Sequence, residues 1–204
     1  MIHMLPVRYD IRMEVSHLCS QNQAPTTGDR AKQIHLMRYL KGTISLGPTY
    51  SVSPNSYPNG VSLTAAVDSS HATHTTDGRS HSGYTITVGT SNAPFLVFSG
   101  AESSGIALSP HESEYMAFTR CTRQVMYYRQ FAAELGYPQS SPTVIEEDSR
   151  TAVNLVTASA ISRKSRHILQ KEHYSRYCYN MGAILPKHCG THDMVPDGLT
   201  KTLG

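Results

Sequence analysis

The spacing of hydrophobic residues along this chain alternates between helical and strand periods, and the changes lay out an order of elements. Ile34, Met37 and Leu40 recur at helical spacing within residues 30–40, and Gly42 ends the run as a C-terminal cap would. This predicts a helix with those three residues on its apolar face. Residues 48–60 follow with Pro48, Pro54, Pro58, Asn55, Asn59 and several Ser and Thr, the composition of a surface loop or linker and the natural place for a domain boundary.

Beyond that loop the period shortens. Val61, Leu63, Ala65 and Val67 alternate over residues 61–68, Tyr, Ile and Val alternate with Thr and Gly over 84–89, and 95–98 is a third short apolar run. Three consecutive strands with short connections predict an antiparallel meander. Phe118, Cys121, Val125, Tyr128, Ala132 and Leu135 then recur at intervals of three and four until Gly136, the signature of a long amphipathic helix. The remainder reads as a strand at 143–145, a short helix at 149–156, a longer basic helix at 164–180, a strand at 183–185 and a terminal helix at 194–203.

Composition narrows this picture only modestly. A chain of 204 residues, 39% hydrophobic and 16% charged, suits one main soluble domain, and no apolar run approaches the roughly 20 residues that cross a bilayer. The first residues, with His3, Pro6 and Arg8, do not read as a secretory signal, so neither membrane insertion nor secretion is expected. Four irregularly spaced cysteines (Cys19, Cys121, Cys178, Cys189) fit reduced intracellular thiols rather than a disulfide framework. A net charge of +3 permits a polyanionic partner without requiring one.

Candidate chemistry rests on acids at the ends of predicted core elements, because clustered carboxylates can hold the hard divalent cations that hydrolyse phosphodiesters. Asp68 closes the first strand, where it could equally be a turn residue. Glu114 precedes Phe118 by one turn and so shares its sheet-facing stripe, whereas Glu112 lies about 200° around the helix and suits an N-terminal dipole partner. Asp148 follows the fourth strand, where it could equally cap the next helix. Asp197 stands in the last helix, where a lone acid would ordinarily be solvated.

Two further groups of residues carry readings of their own. Arg163, Lys164, Arg166, His167, Lys171, His173 and Arg176 are interleaved with tyrosines; they would suit a phosphate groove or simply a solvated helix face. We take Arg163, Lys164, Arg166, Lys171 and Arg176 as candidate nucleic-acid contacts. His188, Cys189 and His192 invite a zinc reading, but they lack a second pair of ligands at matching spacing.

The order of the four acids resembles the ribonuclease H fold and its Asp-Glu-Asp-Asp metal site. More specifically, six stretches resemble the reverse transcriptase and ribonuclease H end of copia-type LTR retrotransposon polyproteins. They are Arg38-Tyr39-Leu40-Lys41-Gly42-Thr43, Val67-Asp68 through Gly78-Arg79-Ser80-His81-Ser82-Gly83-Tyr84, Ala107-Leu108-Ser109-Pro110-His111-Glu112-Ser113-Glu114-Tyr115-Met116-Ala117, Glu147-Asp148-Ser149, Arg163-Lys164-Ser165-Arg166-His167-Ile168, and Asp193 through Lys201. Two departures stand out: Pro196 replaces the alanine usual before the last aspartate, and the chain has no tryptophan.

The resemblance implies an α/β fold, a mixed five-stranded sheet of three antiparallel strands followed by βαβ-type elements, flanked by helices. It also divides the chain into a remnant of the reverse transcriptase (1–47), a linker (48–60) and a ribonuclease H-like domain (61–204), with no Tyr-x-Asp-Asp polymerase motif present. The implied activity is endonucleolytic hydrolysis of the RNA strand of RNA/DNA hybrids. Asp68, Glu114, Asp148 and Asp197 would hold two Mg²⁺ ions, for which Mn²⁺ could substitute, and His188 would assist product release or proton transfer. The implied partners are the hybrid and the polymerase portion of the polyprotein, in the cytoplasm or within virus-like particles. The alternatives are a catalytically inactive nucleic-acid-binding remnant and a purely structural connecting piece.

Overall fold

A computed structural model describes residues 7–50, 62–73, 78–89, 94–102, 105–158, 173–190, 192 and 194–200. Its centre is a meander of β1 (Leu63–Ser70), β2 (His81–Val88) and β3 (Leu96–Ala101), paired antiparallel so that Asp68 lies opposite Gly83. The chain then forms the long helix α3 (Pro110–Glu134) and returns as β4 (Thr143–Glu147), parallel to β1 on its free edge. A second crossover through α4 (Arg150–Thr157) and α5 (Tyr174–Asn180) leads to β5 (Ile184–His188), parallel to β4. The resulting order, β3-β2-β1-β4-β5, is the mixed five-stranded, ribonuclease H-like sheet that the sequence resemblance implies.

Local chemistry explains where α3 starts. Ser109 caps it by accepting the Glu112 amide at 3.2 Å, Pro110 occupies the first turn, and the Glu112 carboxylate accepts the Leu108 amide at 2.8 Å. Glu112 is therefore a terminus partner, and Glu114 stands a residue into the second turn. The inward stripe of α3 includes Tyr115, Phe118, Cys121 and Val125, all buried against Leu63, Ala65, Val67, Ile86 and Ile145 of the sheet.

Because neighbouring strand residues point to opposite faces, Tyr84 joins that core while Gly83 faces the other side, where the last helix α6 (Asp197–Thr200) lies. On that side α1 (Arg12–Ser20), entered through a 3₁₀ turn at Tyr9–Ile11, packs on β3, and Arg12 donates to the Val97 carbonyl. α2 (Thr27–Gly42) closes a second, small core of Ile11, Val15 and Leu36, with Leu18, Tyr39 and Leu40 against it. Beside it, Arg8 and Tyr39 both donate to Asp10, while Arg8 also bonds Thr43.

Several boundaries differ from the sequence expectation. α2 turns Leu36 inward and leaves Ile34 and Met37 exposed at 44% and 53%, because its small core takes little more than one residue per turn. α1 was not anticipated, although Ile11, Val15 and Leu18 carry helical spacing. β2 begins at His81, before the apolar alternation starts, because its buried polar residues have partners: His81 meets Ser99 at 2.8 Å and Ser82 donates to Glu102 at 2.9 Å. The first part of the expected basic helix and most of the expected linker lie outside the described residues.

Phe118→Ala should destabilise the domain by about 3–5 kcal/mol, since it empties a fully buried site between helix and sheet. Urea unfolding followed by circular dichroism checks this; a loss under about 1 kcal/mol would contradict the packing described.

Candidate active site

Pairing of β1 with β4 assembles the site. The parallel register that sets Val67 beside Glu147 brings Asp68 and Asp148 to the same end of the sheet. Asp68 stands inside β1, two residues before its end, and is 4% exposed. Asp148 is not spent on capping, because Ser149 caps α4 by accepting the Ala152 amide at 3.3 Å. Glu114 reaches in from α3. One ligand oxygen from each of Asp68, Glu114 and Asp148 lies within 4.8 Å of the other two.

Three carboxyls this close cannot all stay ionised without a counter-charge. Glu114 takes the strain: burial first, then the charge of Asp68 and more weakly that of Asp148, push its carboxyl up to about 8 against hydrogen bonds from Ser69. Its Oε2 is buried and has no hydrogen-bond partner among the described residues. An orphaned buried carboxylate oxygen amid two further hard oxygen donors fits a divalent cation of the Mg²⁺ or Mn²⁺ type.

Sequence reasoning missed Glu147. It is 0% exposed; its Oε1 accepts the Ser149 amide at 3.0 Å, and its Oε2 has no hydrogen-bond partner among the described residues. Burial, then the nearby Glu114 charge, hold its carboxyl well above the usual range. The signal was legible: Thr143, Ile145 and Glu147 alternate on the buried face of β4, which puts an acid on a core face. Thr200 was missed too; its hydroxyl donates to Asp68 Oδ2.

Among the described residues, the other expected ones are not part of this converging group. Asp197 opens α6 but stands outside the group of converging oxygens. His188 is the exposed last residue of β5, in register with Glu147. Among the described residues, His188, Cys189 and His192 do not converge as a metal group. Arg176 is half-buried in α5, while Arg163, Lys164, Arg166 and Lys171 lie outside the described residues.

No family model matches the chain. The Pol polyprotein of transposon RE2 from Arabidopsis thaliana is 29% identical over 96% of this chain, and that of transposon RE1 from the same plant is 28% identical over the same share. This chain is similar in sequence to retrotransposon Pol polyproteins. It spans 13% of the length of those two relatives. Among solved structures, LC11-RNase H1 in complex with an RNA/DNA hybrid matches 67% of this chain and 92% of its own at 13% identity and a TM-score of 0.48. No described helix is long and apolar enough to cross a membrane.

The raised Glu114 carboxyl predicts a pH dependence. A group that holds its proton more tightly when folded stabilises the fold below its unfolded value, near 4.5, and loses that contribution as pH rises towards about 8. Cation-free protein should therefore lose stability across this window, by at most about 1.4 kcal/mol per pH unit for one proton. Glu114→Gln should flatten the slope in thermal melts; an unchanged slope would contradict the assignment.

Proposed function

We propose that this chain cleaves the RNA strand of RNA/DNA hybrids endonucleolytically as the ribonuclease H part of a retrotransposon polyprotein. The observation that carries the reading is the convergence of Asp68, Glu114 and Asp148 where β1, β4 and α3 meet. On this reading residues 61–204 form the nuclease domain, 48–60 the linker and 1–47 the remnant of a reverse transcriptase, whose polymerase portion is a partner.

Asp68, Glu114 and Asp148 would hold the divalent cations, two Mg²⁺ ions on this reading with Mn²⁺ able to substitute, and Asp197, which stands outside the converging group at the start of α6, would serve as a further ligand. Bound there, the cations supply an activated water and neutralise the charge on the phosphate under attack. The residues do the rest. Glu114, whose carboxyl is pushed up to about 8, would give up its proton to serve as a ligand. Arg163, Lys164, Arg166, Lys171 and Arg176 take the phosphates of the duplex, and His188 at the end of β5 assists product release. RNA is distinguished from DNA through contacts to its 2′-hydroxyl groups.

Incubating the protein with a labelled RNA/DNA hybrid and Mg²⁺, beside Asp148→Asn, tests this. Cutting by the unaltered chain and a drop of at least about a hundredfold in the variant are expected, the scale on which lost electrostatic stabilisation shows in rates. Equal activity in the two preparations sinks the proposal, while hybrid binding without cutting in either would mark the chain as a catalytically inactive remnant.

A further inference from the structure

Thr200 lies one turn beyond Asp197, is 2% exposed, and points its hydroxyl at Asp68 Oδ2. The Thr200 Oγ1 also lies 3.1 Å from the Asp197 carbonyl oxygen, so the hydroxyl is held between helix backbone and carboxylate. The seat of α6 is tight and specific. A Cβ on Gly83 would lie 2.9 Å from the Leu199 Cβ, 3.0 Å from the Thr200 Cγ2 and 3.3 Å from the Pro196 carbonyl oxygen, so only glycine lets the helix approach β2 this closely. Ser99 on β3 fastens the same turn by donating to the Leu199 carbonyl at 2.6 Å, and His81 meets Ser99 in turn. The whole of α6 is thus pinned over β2 and β3 in the position that carries Thr200 to Asp68, on the residue opposite Gly83 in the ladder.

We infer that Thr200 is a positioning residue for the cation site: its hydroxyl fixes the rotation of the Asp68 carboxylate so that the cluster is set before a cation arrives. The inference rests on the proposal that Asp68, Glu114 and Asp148 hold cations. A hydroxyl donor on one carboxylate oxygen removes a rotational freedom that cation binding would otherwise have to freeze, and loss of such a supporting hydrogen bond lowers metal affinity about tenfold or more. It also gives the last helix a part in the site that does not depend on the Asp197 side chain.

The test uses the full chain without nucleic acid, titrated with Mg²⁺ and with Mn²⁺ by calorimetry and by the cation-induced rise in melting temperature. Thr200→Val, which keeps the shape and removes the donor, should bind about tenfold more weakly, and Thr200→Ser should stay within about twofold of the unaltered chain. Unchanged affinity in Thr200→Val, or equal weakening in Thr200→Ser, overturns the inference. Asp68→Asn separates the two claims: if it binds cations normally the cluster itself is not a cation site, whereas weak binding there with normal binding in Thr200→Val removes only the role given to Thr200. Should Thr200→Val not fold, Gly83→Ala keeps the hydroxyl but displaces its seat, and it must weaken cation binding similarly; normal affinity in that variant also overturns the inference.

Discussion

The rest of this structure answers to the mutual repulsion of carboxyl groups gathered at one end of a sheet. Two unit charges about 4 Å apart repel by roughly 4 kcal/mol at the effective dielectric of a protein surface, and more where water is excluded. Asp68, Glu114 and Asp148 are drawn together within 4.8 Å by elements whose cohesion lies elsewhere: the parallel ladder of β1 and β4, and the core in which Val67, Ile145 and Phe118 are wholly buried. Each such side chain contributes about 1.5–3 kcal/mol on burial, so a handful of core residues outweighs the repulsion. The remaining imbalance falls on Glu114, whose carboxyl burial and the neighbouring charges push up to about 8.

Polar residues around the cluster divide between the two faces of the sheet. On the α3 side Glu147 sits beneath the cluster with one oxygen bonded to the Ser149 amide, and Ser69 donates to Glu114 while meeting Ser113 at 2.9 Å. On the opposite side α6 brings Thr200 to Asp68, held by Gly83 and Ser99. Asp68 is where these two layers meet: its strand pairs with β4 on one edge and β2 on the other. The N-terminal helices serve the same face, since α1 packs on β3 and touches α6.

Much of this was legible in the residues. Alternation around Val67, Tyr84 and Val97 marked the meander, the three-and-four spacing from Phe118 to Val125 marked α3, and the offset of Glu114 from Phe118 placed that acid on the inner side. Polar stretches were less legible. His81 and Ser82 extend β2 because a buried partner satisfies each, and such partners lie eighteen or more residues away in sequence. Ile34 and Met37 looked like an inward stripe, yet their burial depends on how much apolar surface stands opposite α2, and only the small cluster around Ile11 does.

By itself the sequence determined the periods of the elements, their order, and four candidate acids placed along them, because spacing and chain order are local properties of the residues. Only the tertiary structure decided which acids meet, that Ser149 rather than Asp148 caps α4, that Glu147 is sealed behind the cluster, and that the last helix reaches Asp68 through Thr200. These depend on register and close approach between segments up to 132 residues apart, distances over which no local pattern carries information.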